Sequence, residues 1–192
     1  MISVVLLAAG AARRFGSQKL LAPVRGVPLA RLSAERLLLQ PMDELVVVLG
    51  HDGCLVRAAL DGLPVRYAVN THPEAGMSAS IRAGVGAVSP HSDALIVALG
   101  DQPLADPGLP GVLVRRWRET NAQVVAPRYA GMQGTPVLFV RSLYPELLAL
   151  DGDRGAREVV RRDAARVAFV DVPSPMPADV DTPADLAGVR EL

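Results

Sequence analysis

The sequence is poor in cysteine, in aromatic residues and in net charge, and each shortage narrows the class of protein. The single cysteine, Cys54, cannot form an internal disulfide, which favours a reducing compartment. Lysine plus arginine equals aspartate plus glutamate at 20 each, so the basic surface of a nucleic-acid-binding protein is missing and we expect no nucleic-acid partner. Only 4% of the residues are aromatic while 50% are hydrophobic, which predicts an aliphatic core.

Long apolar segments are also missing. The first residues, MISVVLLAAG, have no basic residue before the apolar run, which argues against a signal peptide, and the run is far shorter than the roughly 20 residues that cross a membrane. We therefore expect a soluble, cytoplasmic protein with no membrane partner. His51 and Cys54 are spaced as HxxC, but without further ligands this pair predicts a packed or inert thiol rather than a metal site.

Apolar runs of strand length alternate with segments of helical pattern along the chain. The strand runs begin near Ile2, Glu44, Pro64, Asp93, Ala122 and Arg166, and the helical segments begin near Pro28, Ser78, Pro110, Ala156 and Pro183. Hydrophobicity is continuous within the strand runs, which is typical of parallel strands that are covered on both faces. The alternation predicts βαβ units in an α/β protein, and the length fits one domain over residues 1–192.

A loop with two glycines and three cations follows the first strand. Gly10 and Gly16 allow sharp turns that bring backbone amides close to a ligand, and Arg13, Arg14 and Lys19 add positive charge. These features predict a polyphosphate site, with a solvated basic turn as the alternative. The spacing is neither GxxxxGKS/T nor GxGxxG, so the loop predicts neither a P-loop nor a dinucleotide-binding turn.

An acidic residue follows the strand run that begins near Asp93. In an open parallel sheet, ligands bind at the carboxyl ends of the strands, and Asp101 takes this position in VALGDQP. A carboxylate there can hold Mg²⁺, which prefers oxygen ligands and bridges substrate phosphates. A helix cap or an ordinary loop acid is the alternative.

Two further acids precede the last helix in the segment ADVDTPADL. Thr182 followed by Pro183 is typical of a helix start, with the threonine as cap and the proline in the first turn. Val180 separates Asp179 from Asp181, so only one of them can face a site if the segment is extended. A local capping role for Asp181 is the alternative.

These segments together resemble the molybdenum cofactor nucleotidyltransferases, most closely the cytidylyltransferase branch. The resemblance rests first on the loop residues LAAG from Leu7 to Gly10, Arg14, Gly16, Lys19, Leu20, Leu21, Pro23, Gly26 and Pro28. Later segments match in the same order: NTHPEAGMSASIRAG, GDQP, GMQGTPVLF, LDGDRGAREVV and ADVDTPADL. The chain departs from the family at Ala12, Phe15 and Thr71, where serine, methionine and proline are usual.

The resemblance implies a fold, a reaction and a metal. The fold is a three-layer, Rossmann-like α/β/α arrangement with a mostly parallel central sheet, as in nucleoside-diphosphate-sugar transferases. The reaction is transfer of CMP from CTP to the terminal phosphate of molybdenum-molybdopterin, with release of pyrophosphate. By the same resemblance, Mg²⁺ is held by Asp101 and Asp181, or by Asp179 as the second ligand. The implied catalytic residues are Asp101 together with Arg14 at the β- and γ-phosphates and Lys19 at the α-phosphate.

The resemblance also implies two sets of binding residues. Those for the nucleotide are Leu7, Ala8, Ala9, Gly10, Arg14, Lys19, Asn70, Gly76 and Ser78. Those for the acceptor are Gly131, Gly134, Thr135, Pro136, Asp153 and Gly155. A capped loop at Ser78 and a hairpin turn at Gly131 are the bland alternatives. Guanylyl-transferring relatives tend to read LAGG, so the methyl group of Ala9 favours a pyrimidine.

Other functions stay open at this point. The chain could use GTP, or act on another phosphorylated acceptor. It could also be a non-catalytic chaperone that inserts the cofactor into an apo molybdenum hydroxylase as its partner. Phosphoryl transfer depends on positioning and charge neutralisation, so the lack of an obvious nucleophile does not argue against catalysis.

Overall fold

The structure, a computed structural model, describes residues 1–10, 15 and 18–191. In this part of the chain the strands are β1 (Ile2–Ala8), β2 (Pro23–Val24), β3 (Val27–Pro28), β4 (Glu44–Leu49), β5 (Arg66–Val69), β6 (Ala94–Leu99), β7 (Val124–Tyr129), β8 (Met132–Gln133), β9 (Val137–Val140) and β10 (Val167–Val172). The α-helices are α1 (Leu29–Leu38), α2 (Gly53–Ala59), α3 (Met77–Ala87), α4 (Leu109–Thr120), α5 (Tyr144–Leu148), α6 (Arg157–Arg162) and α7 (Pro183–Glu191).

The main sheet has the strand order β10-β7-β9-β6-β1-β4-β5, with β8 paired to β7. Strand β1 pairs in parallel with β4 and β6, and β7 pairs in parallel with β10, whereas β9 is antiparallel to both of its neighbours. The predicted mostly parallel sheet is therefore confirmed. Strand β9 is an addition, since its apolar run of four residues was too short to stand out in the sequence.

Helices cover both faces of the sheet and bury two largely aliphatic layers. Because successive strand side chains point to opposite faces, Val4 and Leu6 of β1 pack with α1 and α4, while Val5 packs with α3 and α6. This arrangement confirms the predicted α/β/α fold. Among the described residues, no helix combines the length and the apolar character needed to cross a bilayer.

Three sequence predictions about local structure have clear outcomes. Helix α7 begins at Pro183, and Thr182 and Asp185 exchange side-chain-to-backbone hydrogen bonds across its first turn, as predicted for a cap at Thr182. The predicted cap at Ser78 is wrong, because α3 already begins at Met77 and the N-cap position is Gly76. The thiol of Cys54 is exposed rather than packed.

The carboxyl ends of β1, β4 and β6 meet at one edge of the sheet. The amide of Gly100, after β6, donates to the carbonyl of Leu7 in β1 at 3.0 Å. A Cβ atom on Gly50, after β4, would lie 2.5 Å from the carbonyl oxygen of Ala9, so only glycine fits between these segments. The residues that follow the three strands are thereby brought together.

Candidate active site

Lys19 lies at the centre of this edge, in a short 3-10 turn over Lys19–Leu21. Its side chain is largely buried, and its Nζ donates to Asp101 Oδ2 and to Asp181 Oδ1 at 2.7 Å each. The two carboxylates are 82 and 162 residues away along the chain. The structure therefore brings together three of the residues that the sequence predicted for catalysis and metal binding.

The environment of Lys19 keeps its ammonium group charged. Burial lowers the pKa of Lys19, but hydrogen bonds and Coulombic attraction from Asp101 and Asp181 outweigh burial, so the pKa is raised above its ordinary value. A fixed positive charge consequently lies between two carboxylates on the wall of a cavity.

The loop before α7 is tied to the loop after β6. The amide of Val180 donates to the carbonyl of Asp101 at 2.9 Å, and the Val180 side chain is fully buried in the core. Asp179 and Asp181 both line the same cavity, so the expectation that only one of them faces the site is wrong. The expectation misapplied the alternation of side chains, because residues two apart along an extended segment point to the same side; here Val180 is buried and the acids on either side of it reach the cavity.

The surroundings of Asp179 disfavour its negative charge. Burial and the negative charges of Asp101 and Asp181 raise the pKa of Asp179, and a hydrogen bond from Gln102 and attraction to Lys19 only partly offset this rise. Gln102 Nε2 donates to Asp179 Oδ1 at 2.7 Å. A carboxylate with two like charges nearby is typical of a site that gains a cation when a ligand binds.

The first cavity, of about 380 Å³, holds most of the predicted nucleotide-binding residues. Its described lining includes Leu7, Ala9, Gly10, Lys19, Gly76, Met77, Ser80 and the three carboxylates Asp101, Asp179 and Asp181. Ala8 packs into the core instead, because it alternates with Leu7 and Ala9 along the strand. The cavity thus has a cationic centre, an acidic side and an apolar wall.

Asn70 and Ser78 lie behind the surface of this cavity. Asn70 is buried, with Oδ1 accepting from the amide of His72 and Nδ2 donating to Ser80 Oγ at 3.0 Å. Ser78 is fully buried, and its amide donates to the carbonyl of Gly152. Ser80 lines the cavity instead of Asn70 and Ser78, and sequence reasoning missed it. It lies four residues after Gly76, which places it one turn further along the same face of the helix.

A second cavity, of about 450 Å³, adjoins the first. Predicted acceptor-binding residues Thr135, Asp153 and Gly155 line it, with Ile81 and Val137 among its apolar residues. Its lining also includes three arginines of the loop before α6 and of α6 itself: Arg154, Arg157 and Arg161. The two cavities share a wall made by Leu7, Met77, Leu99, Asp153 and Asp179.

The other three predicted acceptor residues have structural roles away from the second cavity. Gly131, with φ 85°, lies in the two-residue hairpin turn between β7 and β8. This is the hairpin turn that the sequence offered as the alternative to acceptor binding. A Cβ on Gly134 would clash with the ring of Tyr129 at 2.4 Å. Pro136 lines a separate small cavity beside α1 and α4.

The loops on either side of the shared wall touch through glycine. A Cβ on Gly76, whose φ is 88°, would lie 2.5 Å from the carbonyl oxygen of Gly152, and a Cβ on Gly155 would lie 2.8 Å from Met77 Sδ. Only residues without side chains allow this approach. The loop before α3 and the loop before α6 therefore form one continuous surface.

The donor set of the site fits a hard divalent cation. Among the described residues, no three His, Cys, Asp or Glu side chains converge as a preformed metal cluster. Asp101, Asp179 and Asp181 nevertheless line one cavity and offer only oxygen atoms. Mg²⁺ needs one or two carboxylates besides waters and substrate phosphates, so these residues suit it. Arg14 lies outside the described residues, as do Ala12, Arg13 and Gly16.

Comparison with known proteins agrees with this geometry. The MobA-like NTP transferase domain family matches residues 4–167. The chain belongs to this family. This MobA-like NTP transferase has a central sheet and helices like those of solved nucleotidyltransferases, and it is accordingly a nucleotidyltransferase, as the sequence predicted.

Three relatives illustrate the proteins to which this MobA-like NTP transferase is similar. A molybdenum cofactor guanylyltransferase of Rhodobacter capsulatus is 34% identical, over 99% of this chain and 95% of its own length. The purine catabolism protein PucB of Bacillus subtilis is 28% identical, over 97% and 94% respectively. A Mycobacterium tuberculosis protein, crystallised in complex with manganese, is 30% identical with a TM-score of 0.80, over 99% of this chain and 98% of that chain.

Proposed function

We propose that this nucleotidyltransferase transfers CMP from CTP to the terminal phosphate of molybdenum-molybdopterin and releases pyrophosphate, as one Mg²⁺-dependent domain over residues 1–192 in the cytoplasm. One observation carries the proposal. Lys19 Nζ lies 2.7 Å from both Asp101 and Asp181, in a cavity that adjoins a second one with arginines in its lining. Two adjoining cavities with charge concentrated beside their shared wall suit a reaction between two phosphorylated substrates.

In the proposed reaction an oxygen of the acceptor phosphate attacks the α-phosphorus of the nucleotide. A new P–O bond forms while the bond to the β-phosphate oxygen breaks, and pyrophosphate leaves with the electron pair. Asp101 and Asp181 would hold Mg²⁺, which would supply positive charge to neutralise the phosphates. Lys19 stabilises the charge that develops around the α-phosphorus, and Arg14 is assigned to the leaving pyrophosphate by resemblance.

The walls of the two cavities support the assignment of substrates. Backbone around Leu7 to Gly10, with Gly76 and the Ser80 hydroxyl, offers hydrogen-bonding groups to base and ribose in the first cavity, and Asn70 supports Ser80 from behind. Thr135, Asp153 and Gly155 line the second cavity, which supports their assignment to the acceptor. The nearby arginines attract an anionic acceptor.

The identity of the base rests on Ala9, which lines the first cavity just after β1. GMP transfer is the second candidate, because the Rhodobacter capsulatus relative is named a guanylyltransferase. Pyrophosphate release from each of the four nucleoside triphosphates, with Mg²⁺ and with or without molybdenum-loaded molybdopterin, separates the two. We expect release from CTP that requires the pterin. Release from GTP but not from CTP would overturn the base assignment.

A non-catalytic chaperone is distinguished by Asp101→Asn. We expect this change to abolish maturation of an apo molybdenum hydroxylase in a reconstituted mixture, because nucleotidyl transfer fails without the metal ligand. Asp171→Asn is the matched control, since Asp171 pairs with Arg128 on an exposed part of β10. Full maturation by the Asp101→Asn protein would establish the chaperone instead.

A further inference from the structure

A chain of hydrogen bonds links the second cavity to the shared wall. Thr135 Oγ1 donates to Gln102 Oε1, and Gln102 Nε2 donates to Asp179 Oδ1 at 2.7 Å. Thr135 lines the second cavity, and Asp179 lines both cavities. Gln102 is only 9% exposed, so its amide has little access to water.

The chemistry of the three groups allows one orientation of the Gln102 amide. An ionised carboxylate only accepts hydrogen bonds, so Asp179 requires the Nε2 end of the amide. The Oε1 end then faces Thr135, whose hydroxyl must act as the donor. If that hydroxyl is lost, the Oε1 end has no donor and the amide is held only through Asp179, so it no longer fixes the direction of the carboxylate.

Asp179 needs such a restraint more than its neighbours do. Asp101 and Asp181 are both held by Lys19 Nζ, whereas Asp179 takes its hydrogen bond from Gln102. The backbone beside it is fixed by the bond from the Val180 amide to the Asp101 carbonyl, but that bond leaves the Asp179 side chain free to rotate. Gln102 is the group that sets the side-chain direction.

We propose that Gln102 and Thr135 are positioning residues that hold the Asp179 carboxylate at the shared wall, where it completes the cation site and meets both substrates. This inference rests on the proposed function, and it adds Asp179 to Asp101 and Asp181 as a carboxylate of the metal site. A carboxylate fixed through one oxygen keeps the other for a cation, and partners that orient a metal ligand in this way typically contribute about 10- to 100-fold to affinity or rate.

Binding of Mn²⁺, followed by electron paramagnetic resonance without nucleotide or acceptor, tests the inference directly. Thr135→Val removes the hydroxyl at nearly constant shape, and Gln102→Met removes the donor at similar length. For each we expect Mn²⁺ affinity to fall by about tenfold and kcat to fall with it, while KM for the nucleotide stays near the wild-type value. Thr135→Ser, which keeps the hydroxyl, should restore both quantities.

Two further variants calibrate the measurement. Thr120→Val removes a hydroxyl that donates to the carbonyl of Arg116 at the end of α4, and it should bind Mn²⁺ as the wild type does. Asp101→Asn removes a proposed metal ligand and should weaken Mn²⁺ binding more than any other variant. Thermal unfolding without metal identifies any variant that does not fold. If Thr135→Val does not fold, the inference is tested with Gln102→Met.

The outcomes separate the positioning role from the proposed function. If Asp101→Asn weakens Mn²⁺ binding while Gln102→Met and Thr135→Val bind normally, the positioning role is wrong and the metal site stands. Equal losses in Thr135→Val and Thr135→Ser would show that packing, not the hydroxyl, matters, and would also overturn it. If Asp101→Asn binds Mn²⁺ as well as the wild type does, the metal site itself fails and the positioning role fails with it.

Discussion

The two edges of the parallel sheet surround their carboxylates in opposite ways. At the amino ends of the strands, Glu44 accepts from the Ser3 hydroxyl and the Ser89 amide at 2.6 Å each and from Arg66 at 2.7 Å. Burial alone would raise the pKa of Glu44, but these three hydrogen bonds lower it below its ordinary value. At the carboxyl ends, burial and like charges raise the pKa of Asp179.

The difference distinguishes a structural carboxylate from one that awaits a ligand. Glu44 finds all its partners within the protein, so its charge stabilises the fold. Asp179 shares a cavity with two other acids, and its charge is better accommodated when a cation is present. Burial alone therefore does not identify a functional acid, and the sign of the pKa shift is more informative.

The largest expected effect comes from removing the positive charge of Lys19, at the edge where the carboxyl ends of the strands lie. Lys19→Gln should lower kcat by roughly a hundredfold or more, because the charge that opposes the developing charge at phosphorus is lost. Steady-state pyrophosphate release measures this loss. Arg66→Gln removes a cation that pairs with a carboxylate at the other edge, and it should leave kcat unchanged. A loss of less than tenfold in Lys19→Gln would contradict the assigned role.

The next largest effect is a loss of stability at the edge where the amino ends of the strands lie. Glu44→Gln should lower the free energy of unfolding by about 1–3 kcal/mol at neutral pH, because a charged acceptor with three donors is replaced by a neutral amide. Urea unfolding measures this change, and kcat should not move. Unaltered stability would show that the Glu44 network is dispensable.

Asp179→Asn should raise stability without metal, whereas Glu44→Gln should lower it. The amide keeps an oxygen for the Gln102 hydrogen bond but removes the repulsion from Asp101 and Asp181, so thermal unfolding without metal should shift upward at neutral pH. Mn²⁺ affinity should fall at the same time. A drop in both quantities would show that Asp179 stabilises the apo fold.

The pH dependence of stability follows from the opposite signs of the two shifts. The lowered pKa of Glu44 gives a contribution that is fully present above the ordinary glutamate pKa of about 4.3 and is lost as the pH falls through the folded-state value. The raised pKa of Asp179 gives the reverse, so its cost disappears as the pH falls through its folded-state value. Urea unfolding from pH 7 to 3 should show Glu44→Gln converging on the wild type at the acid end, and parallel curves would contradict this.

The smallest expected effect concerns the nucleotide. Ser80→Ala should raise KM for the nucleotide about fivefold, which corresponds to the loss of about one hydrogen bond. Ser92→Ala removes a buried hydroxyl that contacts Ser3 and Tyr144 at the other edge, and it should lower stability without changing KM. Equal KM values for the nucleotide in the two variants would show that Ser80 does not bind the nucleotide.

Sequence reasoning succeeded where a residue follows directly from a strand end. Asp101 follows β6, and its position at the carboxyl edge of the sheet follows from the strand run before it, whereas its pairing with Lys19 was not predicted. It failed where side-chain direction decides the outcome. Asn70 and Ser78 carry suitable groups but are buried behind Ser80, and a motif does not reveal which of two nearby serines faces a cavity.

Other features depend on contacts between distant segments. Gln102 joins residues 33 and 77 positions away, so its role has no local signal. Strand β9 was missed because its apolar run is only four residues long, and the segment of Asp179 and Asp181 reaches the cavity through its contact with the loop after β6. Local pattern does not reveal a partner that far along the chain.

The contact between Gly76 and Gly152 constrains how this enzyme can change its acceptor. An insertion or a bulkier residue in the loop before α6 would press on the start of α3, which borders the nucleotide cavity. New acceptors are therefore more readily accommodated by altering other side chains that line the second cavity, such as Val137 or Arg161, than by rebuilding that loop. Close backbone packing makes the loop before α6 a poor target for engineering and these side chains better ones.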